Sequence, residues 1–326
     1  MRPGDREGMA LLTVLLLVAV MSVVAVAVLD DVRFSVRRAT NVEIQTQAQW
    51  YASGAEMLAR RQVARLIEAS PSRTPLEPQW NGRPMSFPID EGSITAVVTD
   101  GQNCFNLNSL VEGVGEDLIA RPAGTAQFLA LGRAVGAPES RMRAVADALT
   151  DWLDADSVAL PLGAEDGAYA GLATPYRTAG VMLAEVSELR AVKGVDADLY
   201  RRLRPWVCAL PTSRPAMLNV NTLTPEQAPL LTMLTGGALG RDIARAVIAG
   251  RPRVGWPDTA AFWAQPRLSA IQVPAEAESQ TGVVTRYFNL RVDVDYAGGR
   301  AVRTALLHAS QDGPVRTVIQ RWTPDE

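Results

Sequence analysis

Acidic side chains are concentrated in one short stretch near the middle of the chain. Asp147, Asp151 and Asp154 are spaced i, i+4 and i+7, so they share one face of a helix that we expect to end near Leu153. Like charges at these spacings destabilise an exposed helix by about 0.2–0.5 kcal/mol per pair. A bound cation would relieve that repulsion.

The residues that follow this helix resemble part of a calcium loop. Asp154, Asp156 and Glu165 occupy the first, third and twelfth positions of an EF-hand-like loop, the spacing at which oxygen ligands converge on calcium. The match then fails, because Val158 stands at the fifth position and Ala159 replaces the glycine at the sixth. The alternative is an exposed acidic face neutralised by Arg143 and other arginines, and the residues alone leave both interpretations open.

Few other residues could support catalysis. His308 is the single histidine, and it lies in an apolar stretch that we interpret as a packed strand. The single lysine, Lys193, is not part of a phosphate-binding loop, because that motif ends in G-K-[ST] and here Val192 precedes the lysine and Gly194 follows it. The formal net charge of -3 does not favour a strongly basic nucleic-acid binder. We therefore expect a protein that is not an enzyme.

The two cysteines, Cys104 and Cys208, lie at the two ends of a region with helical periodicity. On an oxidising face of a membrane they could form one disulfide, which would close a loop of about a hundred residues. Two free buried thiols are the alternative.

The N-terminal region indicates a membrane anchor. Met9 to Leu29 contains no charged residue and is long enough to cross a bilayer as a helix. The run is longer than the apolar region of a cleaved signal peptide, and helix-forming residues continue without proline to Glu68. The short leader before it weakly favours a cytoplasmic start. We expect one helix of about 60 residues, on the order of 90 Å long.

The extramembrane part of this helix should pack on a globular head through an apolar side. Charged and amide residues, including Arg37, Arg38, Glu43, Gln47 and Arg61, are left for the opposite side. The apolar side is predicted to contain Val32, Val36, Ala39, Val42, Trp50, Ala55, Met57, Leu58 and Leu66.

The rest of the chain combines strand and helix periodicity. Alternating residues predict a hairpin over 83–99 and a short third strand at 104–108, and strand periodicity returns after residue 283 in three segments. The intervening sequence is mostly helical. The resulting domain boundaries are a leader (1–8), a transmembrane segment (9–29), the outer part of the N-terminal helix (30–70), a first part of a sheet (71–108), an inserted α-helical domain (109–282) and a second part of the sheet (283–326).

A polar leader that ends in glycine, followed at once by an apolar helix, resembles the type IV pilins and pseudopilins. In that class a prepilin peptidase cleaves after the glycine, here between Gly8 and Met9, and the new N-terminus is methylated. Most members have glutamate where this chain has Thr13. A buried charge in the membrane needs a partner. The pseudopilin that as a rule lacks this glutamate is protein K, the tip subunit of the type II secretion pseudopilus.

Further motifs resemble the same protein K family. They occur in family order and are Phe105-Asn106-Leu107-Asn108, Asp151-Trp152-Leu153-Asp154-Ala155-Asp156, Gly163-Ala164-Glu165-Asp166-Gly167-Ala168-Tyr169, Leu210-Pro211 and Asn219-Val220-Asn221-Thr222.

The resemblance implies an α+β, type IV pilin-like fold with a large helical domain inserted into an antiparallel sheet. It also implies a minor pseudopilin that caps the pseudopilus, anchored once in the bacterial inner membrane with a cytoplasmic N-terminus and a periplasmic C-terminal domain. The implied partners are minor pseudopilins I and J, the major pseudopilin and the prepilin peptidase. The secretin and exported proteins are further candidate partners. Calcium binding in the family assigns Asp154, Asp156, Glu165 and Asp166 as metal ligands.

An alternative function comes from residues 219–270, which resemble a helix-hairpin-helix. In DNA-uptake receptors such hairpins hold a phosphate backbone on their amides, so a minor pilin of a DNA-uptake or adhesion pilus is the competing hypothesis. The glycine spacing is imperfect, and five arginines against Glu226, Asp242 and Asp258 leave a net charge of only +2. We therefore expect a scaffold here and no nucleic-acid partner.

Overall fold

A computed structural model describes residues 4–115, 117–311 and 313–323. Its first element is one helix, α1 (Gly4–Glu68), which confirms the predicted uninterrupted helix. Gly54 is the only glycine between Gly8 and Glu68, and no proline lies between Pro3 and Pro71, so nothing in the sequence breaks the backbone hydrogen-bond ladder. Among the described residues, α1 is the one helix whose length and apolar composition, from Met9 onward, would let it cross a membrane.

Eleven strands are described, most of them short. They are β1 (Pro84–Ile89), β2 (Gly92–Asp100), β3 (Phe105–Asn106), β4 (Val111–Val114), β5 (Asp117–Ala120), β6 (Val207–Cys208), β7 (Leu218–Asn219), β8 (Thr281–Gly282), β9 (Tyr287–Tyr296), β10 (Gly299–Ala309) and β11 (Val315–Arg321). Five of them form the main sheet in the order β1-β2-β9-β10-β11, with every neighbouring pair antiparallel. The strands before and after the insert therefore meet directly, at β2 and β9.

Helix α1 packs on one face of this sheet through small residues. Ala48, Ala52, Ala55 and Ala59 are buried at spacings of three and four, and strands β9 and β10 cover them. Alanine has a small side chain, so the helix backbone can lie close to the sheet. The prediction that Trp50, Met57 and Leu58 belong to the packing side is wrong, because all three are exposed.

A buried ion pair joins the same helix to the sheet. Arg303 Nε on β10 donates to Glu56 Oε2 at 2.5 Å, and Thr317 Oγ1 on β11 donates to Glu56 Oε1 at 2.5 Å. The Arg303 guanidinium also lies 4.4 Å from the ring centroid of Trp322. Every charge in this network has a partner, as a buried pair requires.

The direction of α1 shows which end of the sheet lies farther from the apolar segment. Gln45 Nε2 donates to the Arg300 carbonyl near the start of β10, whereas Glu56, further along α1, pairs with Arg303, further along β10. Gly92 of β2 pairs with Tyr296, and Asp100 pairs with Phe288. Strand β2 therefore ends, and β9 begins, at the end of the sheet away from the apolar segment.

The insert leaves and re-enters the sheet at that far end. Its helices surround a separate hydrophobic core that includes Phe128, Leu149 and Leu231. They are α2 (Pro122–Ala134), α3 (Glu139–Leu153), α4 (Asp166–Tyr169), α5 (Ala197–Leu203), α6 (Ala228–Leu234), α7 (Arg241–Ala249), α8 (Thr259–Trp263), α9 (Pro266–Ser269) and α10 (Ala275–Ser279).

Two details of the insert differ from the sequence-based expectation. The strand predicted at 104–108 is shortened to β3, and it pairs in parallel with β6 instead of extending the main sheet. Residues 111–120, expected to be helical, form the antiparallel hairpin of β4 and β5. Both elements are too short for their periodicity to be read from the sequence.

Asparagines hold the base of the insert together. Asn106 Oδ1 accepts from the Leu210 amide at 3.0 Å, and its Nδ2 donates to the Thr212 carbonyl at 2.7 Å. Asn221 makes the same two kinds of bond to the backbone of Trp256, at 2.7 and 2.9 Å. These side chains replace the missing partners of buried backbone groups, so their role in the motifs is structural.

Candidate functional site

Three acidic side chains converge where α3 ends. Asp154 caps the C-terminus of α3, Asp156 follows two residues later, and Glu165 precedes α4. One carboxylate oxygen from each lies within 4.8 Å of the others. A loop folds back between Asp156 and Glu165, so the fold brings together three of the four predicted ligands.

Two oxygens of this cluster lack a partner among the described residues. Asp154 Oδ1 and Glu165 Oε1 are both buried and accept no hydrogen bond. Asp154 as a whole is 6% exposed, so little water can replace the missing partner. Burial raises the pKa of Asp154 to about 7, and the charges of Asp156, Asp151 and Glu165 add to that effect. Burial is also the largest cause of the raised pKa of Glu165. A partly buried cluster of carboxylate oxygens, two of them without a hydrogen-bond partner, fits a hard cation with oxygen ligands.

The fourth predicted ligand, Asp166, is not brought into the cluster. Its Oδ1 accepts from the Thr178 amide at 2.9 Å and from Thr178 Oγ1 at 3.0 Å, and Arg177 lies 3.8 Å from its Oδ2. Asp166 instead ties the start of α4 to the loop near residue 178.

The alternative interpretation is that Arg143 neutralises the acidic face. The structure does not support this role for Arg143. Arg143 Nη2 donates to Glu139 Oε1 at 2.7 Å, one helical turn earlier on α3. In the acidic cluster, the charges that raise the pKa of Asp154 all belong to other acids.

Cys104 and Cys208 are joined by a disulfide, with their Cα atoms 5.8 Å apart. The bond lies beside the short β3–β6 pairing, so it connects the start of the insert to the end of its first helical block. It closes a loop with a sequence separation of 104 residues.

The helix-hairpin-helix-like block uses its hairpin amides internally. The amides of Gly236, Gly237 and Ala238 donate to carbonyls of α6 and its C-terminal turn, and the Leu239 amide donates to Thr235 Oγ1 at 3.2 Å. These groups are therefore engaged within the hairpin, whereas phosphate binding needs amides that point outward.

His308 stacks on Tyr287, with ring centroids 4.6 Å apart. Burial lowers its pKa, and the charge of Arg286 lowers it further. The ring thus packs as a neutral aromatic side chain on β10, in agreement with the sequence-based interpretation.

The predicted processing site falls at the start of α1. Gly8 and Met9 both belong to the helix, while residues 1–3 of the leader lie outside the described residues. Thr13 Oγ1 donates to the Ala10 carbonyl at 2.9 Å, which satisfies the hydroxyl within the helix.

The outward side of α1 is an exposed apolar surface that the sheet of this chain does not cover. Trp50 is 70% exposed, and Met57 and Leu58 are similarly open. We call these three residues the outer face of α1. The alanine repeat at 48, 52, 55 and 59 is the signal that could have identified the true packing side.

Comparison with known proteins gives a consistent result over most of the chain. Two family models described as type II secretion system protein K match residues 103–212 and 218–285. Type II secretion system protein K of Pectobacterium carotovorum subsp. carotovorum is 35% identical over 318 residues, covering 97% of this chain and 96% of that protein. The Aeromonas hydrophila protein K is 37% identical over 300 residues, covering 90% of each.

A solved structure agrees with these relatives. One chain of the crystal structure of the GspK-GspI-GspJ complex from the enterotoxigenic Escherichia coli type 2 secretion system matches with a TM-score of 0.77 and 32% identity, covering 88% of this chain and all of that one. Over the matched part of the chain, the fold is thus similar to that of one chain in that complex. On this evidence the chain belongs to the type II secretion system protein K family.

Proposed function

We propose that this chain is a minor pseudopilin with a type IV pilin-like body that caps the pseudopilus of a type II secretion system. The observation that carries the proposal is the place of the insert: it leaves the sheet at the end away from the apolar segment of α1. A helical filament needs room above each subunit for the next one. A large lobe at that end occupies the room, so the subunit fits only at the tip.

The apolar segment of α1 supports anchoring in the inner membrane. We propose that Met9 to Leu29 spans this membrane once, with the N-terminus in the cytoplasm and the sheet and insert in the periplasm. Cleavage between Gly8 and Met9 by a prepilin peptidase, followed by N-methylation, belongs to the same proposal. Thr13 supports a tip position, because it brings no charge that a subunit above would have to pair.

The partners that we propose are minor pseudopilins I and J, with the major pseudopilin added below them. The outer face of α1 is apolar, exposed and not used by the head of this chain, and an amphipathic helix presents such a face to a partner helix. The similar chain comes from a complex with GspI and GspJ. The insert is then free to meet the secretin or exported proteins.

The test is assembly in detergent of the full-length chain with candidate pseudopilins I and J from the same genome. We expect one stable complex that contains one copy of each protein, measured by gel filtration with light scattering. Formation of uniform fibres by this chain alone would contradict the steric argument.

We also propose that the acidic cluster binds one calcium ion. Asp154, Asp156 and Glu165 would hold it, since their oxygens converge and two of them are buried without a partner. Further oxygen ligands would come from backbone carbonyls or water, as calcium takes six to eight. The ion would supply charge neutralisation and fix the loop that follows α3, which is a structural role.

A further inference from the structure

Two acids of α3 face the same loop as the cluster but are used differently. Asp147 and Asp151 precede Asp154 by two helical turns and one helical turn, respectively, and the sequence gives no reason to separate them from the ligands. In the structure, however, their oxygens accept hydrogen bonds from backbone amides of the loop between Asp156 and Glu165.

Asp151 carries most of these bonds. The Leu160 amide lies 3.1 Å from its Oδ1 and 3.2 Å from its Oδ2, and the Ala164 amide donates to Oδ2 at 2.7 Å. Asp151 is 1% exposed, so these amides replace the water that a carboxylate would otherwise bind. Asp147 Oδ2 adds a bond from the Leu162 amide at 3.1 Å.

The loop backbone lies directly on the Asp151 carboxylate. A Cβ atom at Gly163 would come within 1.8 Å of Asp151 Oδ2, so this position has room for glycine alone unless the loop moves. Gly171, in the following loop, has no atom within 4 Å of such a Cβ. The close approach is thus a local property of the Asp151 contact.

The bonding pattern sorts the acids into two groups. Both oxygens of Asp151 already accept amide hydrogens, whereas one oxygen each of Asp154 and Glu165 is buried without a partner. Ala164 is also the residue directly before Glu165, so its bond to Asp151 fixes where the Glu165 side chain starts.

We propose that Asp151, assisted by Asp147, is a positioning residue of the cation site: it holds residues 160–164 by their amides and thereby brings Glu165 to Asp154 and Asp156. This inference rests on the proposed cation site. Groups that orient metal ligands typically change metal affinity by 10–100-fold when they are replaced.

The experiment uses terbium luminescence of the full-length chain in detergent, since Tb³⁺ is a hard cation that binds oxygen ligands. Titration gives the affinity, and lifetimes in H₂O and D₂O give the number of waters on the bound ion. For Asp151→Asn we expect affinity about 10–100-fold weaker with an unchanged number of waters. For Asp154→Asn or Asp156→Ala we expect at least one additional water, because a ligand is lost.

A second pair of variants tests the contact from the loop side and does not remove any acid. Gly163→Ala should weaken Tb³⁺ binding as Asp151→Asn does, and Gly171→Ala, the matched control, should leave it unchanged. Melting temperatures of all variants in EGTA verify that each is folded before it is titrated.

The outcomes separate the two proposals. No saturable Tb³⁺ binding by the wild-type chain would overturn the cation site itself. Wild-type binding together with an additional water in Asp151→Asn would make Asp151 a ligand and overturn the positioning role alone. Unchanged affinity in folded Asp151→Asn and Gly163→Ala would overturn it as well.

Discussion

Replacing Asp154 by asparagine should have opposite effects on stability without and with calcium. Without a cation, the wild-type chain holds a carboxyl that is buried among other acids, and its pKa is raised to about 7. Asparagine has a similar shape and no charge, so the variant should melt at a higher temperature than the wild type in EGTA. In calcium the order should reverse, because the variant has lost a ligand.

The size of the first effect follows from the raised pKa. The ordinary value is 3.8 and the folded value is about 7, a difference that corresponds to roughly 4 kcal/mol at about 1.36 kcal/mol per unit. Asp156 is exposed and Glu165 is partly exposed, so water screens the charges of the cluster. We therefore reduce the expected destabilisation by the Asp154 carboxylate to about 1–2 kcal/mol. A gain of that size raises the melting temperature of a domain of about 200 residues by roughly 2–8 °C.

The pH dependence has a definite sign. Between the unfolded and the folded pKa, the folded chain binds more protons at Asp154 than the unfolded chain, so stability without a cation falls as pH rises from about 4 to 7. The advantage of Asp154→Asn in EGTA should therefore be largest near pH 8 and shrink toward pH 4. In calcium at 100 times its dissociation constant, the wild type should gain about 2.7 kcal/mol.

The assay is thermal unfolding of the full-length chain in detergent at pH 5 and pH 8, each with EGTA and with calcium. Asp166→Asn is the matched control, since its carboxylate bonds to Thr178 outside the cluster, and it should retain the calcium response. An Asp154→Asn variant that is less stable than the wild type in EGTA at pH 8 would refute the reasoning about the stability of the chain without a cation. A calcium response that survives in that variant would refute the assignment of Asp154 as a ligand.

Three further changes test the body of the molecule. Glu56→Gln should lower the free energy of unfolding by about 3 kcal/mol in urea titrations, because it leaves Arg303 buried without its charge partner; an effect below 1 kcal/mol would show that the pair is dispensable. Cys104→Ser with Cys208→Ser should cost about 4–5 kcal/mol in the chain-entropy model for a loop of this size, and reducing agent should leave the melting temperature of that variant unchanged. Trp50→Glu should keep the wild-type melting temperature, since the side chain is exposed, but should reduce co-purification with pseudopilins I and J; full recovery of the complex would remove the outer face of α1 from the interface.

The elements that could be predicted are those whose signal is local. The run without proline to Glu68 predicts α1. Alternating apolar and polar residues on both sides of Asp90-Glu91-Gly92 predict the β1–β2 hairpin, in which Ile89 pairs with Gly92 next to the turn. The face of α1 could not be predicted correctly from hydrophobicity. Large apolar side chains such as Trp50 suggest a buried side, but close approach to the sheet selects alanine instead.

The elements that could not be predicted depend on contacts between distant residues. Strand β3 finds its partner in β6, about a hundred residues later, and no local pattern indicates that pairing. The EF-hand-like spacing predicts that Asp154, Asp156 and Glu165 lie close together, as they do in the structure. The spacing could not show that the Asp166 side chain bonds to Thr178 instead. That choice depends on the path of the loops, which only the folded chain defines.

The split sheet has a consequence for the order in which the molecule is built. Synthesis delivers α1, β1 and β2 first, yet β2 lacks its neighbour β9, and the alanines of α1 lack most of their cover, until the whole insert has followed. Pairing between such distant segments forms late in folding. A chain cut short within the insert would thus keep an uncovered α1 and an unfinished sheet, and only a chain that already carries the insert can complete the body that we propose to enter the filament.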